Sequence, residues 1–149
     1  MAKLVGCSSE SVLRSSKRRS VIFSAYLQAF KNHDSLHQRV LFVLNSLPSE
    51  VQQDFLDDPR FQVELDNYEP GKGWSLLVPT PGPGEHVTRC VVLRQNLNDC
   101  SEPFALYVIA HEFAHAYLRN GGWGTISDVE QAADALAASW GFDRPAAYG

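Results

Sequence analysis

Apolar residues in the first third of the chain recur at helical spacing. Val12, Leu13, Val21, Ile22, Tyr26, Leu27 and Phe30 follow a Ser-rich start and suit one or two helices. Asp34 or Ser35 stands where a helix cap belongs, and Leu36, Val40, Leu41, Val43, Leu44 and Leu47 then repeat every three or four residues until Pro48 stops the pattern. Ser49 with Gln52 reads as a capping box opening a short third helix, which Asp57, Asp58 and Pro59 close. The period then drops to two. Phe61, Val63 and Leu65 alternate with Gln62, Glu64 and Asp66, the pattern of a half-buried strand. Residues 74–78 and 87–95 read as two further strands joined by a wide turn through Thr80-Pro81-Gly82-Pro83-Gly84, so a small mixed or antiparallel sheet is expected.

Helical spacing returns after Ser101, a good N-cap followed by Glu102 and Pro103. Apolar residues run from Phe104 through Leu118, with Gly121 as the expected C-terminal glycine. A helix this apolar belongs in a core, so His111, Glu112 and His115 within it need partners. A Gly-rich loop leads to a last helix over residues 128–140, capped by Ser127 and closed by Gly141. The pattern predicts one α+β domain of 149 residues, with a helical part over 1–60 and a sheet followed by two helices over 61–149.

Composition narrows the functional classes. A formal charge of -4 gives no overall field for nucleic acid or an anionic membrane surface, and the basic run Arg14, Lys17, Arg18 and Arg19 reads as a solvated helix face. Cys7, Cys90 and Cys100 have neither disulfide-framework nor thiolate-zinc spacing, which suits a reducing compartment. Leu4-Val5-Gly6-Cys7 has no apolar stretch before it and reads as a chance match to a lipoprotein signal. No apolar stretch approaches the ~18 residues of a membrane span. The expectation is a soluble, cytoplasmic protein.

The chemistry is concentrated in His111-Glu112-Phe113-Ala114-His115, an HExxH motif. On a helix, two histidines four residues apart project from one face and can close on a single ion. Zinc suits such imidazole ligands, and a hydrolytic site combines three protein ligands with an open position. Glu112, rotated by ~100° from His111, occupies the general-base position. Glu130 on the last helix is the foremost candidate for a third ligand. Asp128, close to the cap, and Glu102, on the motif helix itself, are the alternatives. Asp134, one turn beyond Glu130, is placed to accept a hydrogen bond from a ligand histidine and fix its tautomer.

With Glu130-Gln131-Ala132-Ala133-Asp134-Ala135-Leu136-Ala137 downstream of HExxH, the segment over residues 87–142 resembles the gluzincin zinc metallopeptidases. It is most similar to the small cytosolic types, the minigluzincins and the catalytic domains of ImmA/IrrE-like proteins. The resemblance implies a zincin-like fold, zinc held by His111, His115 and Glu130, Glu112 as general base, and Asp134 behind a ligand histidine. Larger gluzincins add a downstream Tyr or His that stabilises the oxyanion. Tyr148, Tyr107 and His86 are the candidates for that role here.

The leading expectation is a zinc endopeptidase acting on a peptide or protein substrate. The strand over 87–95 would pair with an extended substrate, and Arg89 and Arg94 would bias it toward acidic segments or simply protect an exposed edge. The competing expectation is a non-catalytic zinc-binding regulatory or protein-interaction module whose N-terminal third binds a partner. Retention of Glu112 argues against it, because a structural metal site has no use for an adjacent base.

Overall fold

The computed structural model describes residues 22–66, 68–69, 73–74 and 89–146. The expectations for the chain before residue 22, for the Pro-Gly turn and for strand residues 75–78 and 87–88 lie outside the described residues. Residues 22–25 are helical and lead into a 3-10 turn, Gln28–Phe30. Helix α1 spans Asp34–Ser46 and buries Leu36, Val40, Val43 and Leu44, the stripe expected from the periodicity. His33, rather than Asp34 or Ser35, occupies its N-cap position. An N–H of the first turn, which has no intrahelical acceptor, finds a distant partner instead, with Leu36 N donating to Asn98 Oδ1 at 2.9 Å.

Helix α2 spans Ser49–Asp57, with Pro48 at the N-cap position and no side-chain cap. The expected capping box is therefore not formed. Gln52 is buried, and its Nε2 donates to Leu44 O at 2.8 Å, tying α2 to the end of α1. Burial gave the amide a tertiary partner in place of a local one.

Strand β1, Phe61–Leu65, has the predicted extent and buries Phe61 and Val63. Two short segments follow, β2 (Tyr68–Glu69) and β3 (Gly73–Trp74), paired antiparallel. Strand β4, Arg89–Leu93, lies beside β1 in the parallel sense, with Phe61 opposite Arg89 and Leu65 opposite Leu93. The expectation of a mixed or antiparallel sheet is corrected here, since the two main strands form a parallel pair and only the short β2–β3 pair is antiparallel. The chain between the main strands is long enough for a crossover, which parallel neighbours require, and period-2 alternation carries no information about direction. Residues 95–98, expected to extend the strand at Gln95, form a 3-10 helix instead.

Helix α3, Glu102–Tyr117, packs against this sheet, and helix α4, Val129–Ser139, packs against α3. Phe55 stacks on Phe61 at 4.1 Å between ring centroids, and both rings meet Phe113 of α3. Ala105, Ile109, Ala110 and Phe113 of α3 join Val63, Val91 and Leu93 of the sheet and Val40 and Leu44 of α1 in one core. The predicted α+β class holds. Among the described residues no helix is long and apolar enough to cross a membrane.

Arg89 departs most from expectation. Read as an exposed strand-edge charge, it is 1% exposed, paired with Asp54 at 2.5 Å and Asp58 at 2.9 Å. Its Nε and Nη2 also donate to Ala116 O, at 3.0 and 2.8 Å. A guanidinium can be buried when its donors are matched in this way. It fastens α2 and β4 to the C-terminal end of the motif helix. Arg94, by contrast, is 80% exposed at the end of β4, with its Nε 4.0 Å from Asp66.

Candidate metal centre

Two helices and the reversal between them build the site. α3 begins after Ser101, with Glu102 and Pro103 in its first turn, although the Ser101 side chain makes no cap bond. It ends without the expected glycine cap. Arg119 and Asn120 take left-handed backbone, with φ of 52° and 57°, and Asn120 N donates to His115 O. Gly122 is required for close approach, since a Cβ there would sit 2.4 Å from Ile126 O. That contact flanks a tight bridge between Trp123 and Ile126, which turns the chain back. Asp128, and not Ser127, caps α4, accepting from Gln131 N at 2.9 Å. Gly141, with φ of 100°, closes α4 as anticipated. Ala114, Ala133 and Leu136 form the seam between the helices, and their alanines allow close backbone approach.

This hairpin brings the donor atoms of His111, His115 and Glu130 within 4.8 Å of one another. The two Nε2 atoms are 3.1 Å apart. Glu130 Oε1 lies 3.0 Å from His111 Nε2, and Oε2 lies 3.2 Å from His115 Nε2. The helical spacing of the motif is visible in the rings, whose centroids are 4.6 Å apart at 87°. Glu130 is 70% exposed, so the cluster is reachable from solvent.

The donor set fits a cation. His111 Nδ1 lies 2.7 Å from Asp134 Oδ1, and an ionised carboxylate only accepts, so Nδ1 carries the proton. Nε2 of a neutral ring then presents a lone pair toward Glu130 and His115. With His115 in the tautomer that leaves its Nε2 free of a proton, two imidazole lone pairs and a carboxylate oxygen converge on one point, the arrangement that holds a cation; in the other tautomer His115 Nε2 donates to the other two. His111, His115 and Glu130 can hold a metal ion. Among the described residues His115 Nδ1 is buried without a hydrogen-bond partner, so none of them sets the tautomer of that ring as Asp134 does for His111.

Electrostatics agree with the geometry. Burial acts to raise the Glu130 carboxyl, but the two histidines in contact with it outweigh burial and hold the group below its ordinary value. Asp134 is likewise held down by Tyr107 and His111 against the opposing effect of burial. Glu112 behaves in the opposite way. Its carboxyl is raised, chiefly by burial, with the histidines pulling it down and Glu130 pushing it up. It stands apart from the ligating trio and lines an open groove of about 190 Å³ with Val92, Arg94, Leu97, Phe104 and Val108. That groove joins β4 to the motif helix.

Of the remaining candidates, Asp128 is engaged as the α4 cap. Glu102 lies in the first turn of α3, beside Phe42 and Leu106. Tyr107 directs its hydroxyl to Asp134 Oδ1 at 2.6 Å, on the Nδ1 side of His111 and away from the ligating atoms. Burial and that hydrogen bond push its phenol up to about 12, so it remains a donor. Tyr148 and His86 lie outside the described residues. Arg144, which sequence reasoning missed, donates to Asp134 Oδ2 at 3.1 Å. It lies beyond the last helix in no motif, and only the chain reversal after Gly141 brings it back. Comparison with protein-family models, curated proteins and solved structures found no match to this chain.

Proposed function

We propose that the protein is a zinc-dependent peptidase. The observation that carries this reading is the half-buried Glu112 carboxylate, set beside three clustered donors that could hold a metal ion and facing an open groove along β4. Zinc is favoured by two imidazoles and one carboxylate. A zinc ion held there supplies Lewis acidity and brings a water proton within reach of a carboxylate base near neutral pH.

The chain's own residues have separable tasks. His111, His115 and Glu130 hold the ion. Asp134 keeps His111 in the tautomer whose Nε2 can ligate. Glu112, raised by burial toward the working range of a general base, accepts a proton from water and returns it to the leaving amine. Among the described residues β4 pairs only with β1, which leaves its second edge for a peptide backbone to add alongside Glu112.

Glu112→Gln keeps size and hydrogen bonding but cannot take a proton. It should retain stoichiometric zinc while cleavage of an unfolded protein substrate falls by at least ~10²-fold. The comparison needs metal content measured on both proteins. Equal cleavage by both, at equal zinc, would sink the peptidase reading and leave a zinc-binding interaction module.

A further inference from the structure

The residues behind His111 form a chain of contacts that extends beyond Asp134. Asp134 Oδ1 accepts from Tyr107 O–H at 2.6 Å and faces His111 Nδ1 at 2.7 Å, while Oδ2 accepts from Arg144 at 3.1 Å. The Arg144 guanidinium also lies over the Tyr107 ring, 5.4 Å from its centroid. Tyr107 is one turn before His111 on α3, and their rings are 5.9 Å apart. Three helical or post-helical segments therefore meet on one carboxylate.

We infer that Tyr107 and Arg144 are positioning residues that orient Asp134 and through it set the tautomer and direction of the His111 ring. A carboxylate that served His111 alone could rotate about its Cβ–Cγ bond and offer either oxygen. With Tyr107 on one oxygen and Arg144 on the other, that rotation would break two hydrogen bonds. The Arg144 stack on Tyr107 links the two donors, so that each restrains the other. Among the described residues His115 has no such support, and its Nδ1 finds no hydrogen-bond partner. The two histidines are thus unequal: His111 is set by the fold, whereas His115 would take its orientation from a bound ion.

The inference rests on the metal-centre reading for its effect on affinity, but the tautomer can be read in the metal-free protein. Tyr107→Phe removes only the hydroxyl, and Arg144→Met removes the guanidinium from a side chain that is 55% exposed, so both variants should fold. Two readouts are needed: zinc affinity by chelator competition, and the ring nitrogen chemical shifts of His111 without metal. Wild type should show His111 mainly protonated at Nδ1. Each variant should mix the tautomers and weaken zinc by about 3- to 10-fold, less than the ten- to hundredfold typical of losing the direct partner of a ligand. Arg144→Lys, which keeps the charge, should recover part of the loss. Unchanged His111 shifts in both variants would overturn the inference, whether or not zinc binds. Mixed tautomers in the variants, with no zinc bound by wild type, would uphold the positioning role and defeat the metal reading alone.

Discussion

Three carboxylates beside the two histidines differ in chemistry because their surroundings differ. Glu112, Glu130 and Asp134 are close neighbours around two histidines, yet the first is raised by burial and the other two are held down by the groups in contact with them. Under the proposed function, opposite shifts suit opposite tasks. A group that accepts and returns a proton gains from a raised value, while a ligand and its supporting acceptor must stay ionised. Asp134→Ala should therefore lower zinc affinity by roughly ten- to a hundredfold without abolishing binding, because the three ligating side chains remain. Titration with a competing chelator measures this, and an unchanged affinity would mean that His111 needs no partner behind it.

At the element scale, the helix hairpin has a stricter geometric requirement than either helix alone. Both helices are recognisable from periodicity, but Glu130 reaches the histidines only because the 121–127 loop reverses the chain so tightly. The constraint is sharpest at Gly122, where any Cβ would collide with a backbone carbonyl. Gly122→Ala should thus force the loop apart, lowering thermal stability and, more tellingly, weakening zinc binding by separating Glu130 from the histidines. A Gly124→Ala comparison is informative. Its φ of +59° imposes backbone strain, yet a Cβ there meets nothing within 4 Å. Gly124→Ala should cost stability of about 1 kcal/mol with metal affinity nearly intact. If both variants bind zinc like wild type, the hairpin does not govern the site's geometry.

The motif helix is held within the whole molecule by a buried charge network. Arg89 links Asp54 and Asp58 of the α2 region to Ala116 O at the end of α3. Asp58 is held well below the usual carboxylate range, foremost by its hydrogen bond from Arg60 and also by Arg89. A lowered folded value means that this contribution to stability is complete above the unfolded value of about 3.9. It is lost as the pH falls from there toward the folded value. Denaturation by urea should show stability declining below about pH 4. Asp58→Asn should be less stable at neutral pH and show a flatter acid limb. Parallel acid limbs for the two proteins would place the acid sensitivity elsewhere.

Periodicity and local chemistry settled a good deal before any folding was considered. The extent of β1, the buried stripe of α1, the course of α3 and α4 and the shared face of His111 and His115 all follow from interactions between residues a few positions apart. Backbone hydrogen-bond geometry repeats with the same period whatever surrounds it. Strand direction, the fate of Arg89, the partner of Gln52 and the Arg144–Asp134–Tyr107 contacts were not legible. In each, the partner lies in another part of the chain, and a charged or polar side chain reads as solvated until packing supplies its acceptor. Arg89 shows the reason plainly: its character as a buried clamp depends on two carboxylates from the α2 region and one carbonyl from α3, and only the folded chain brings the three together.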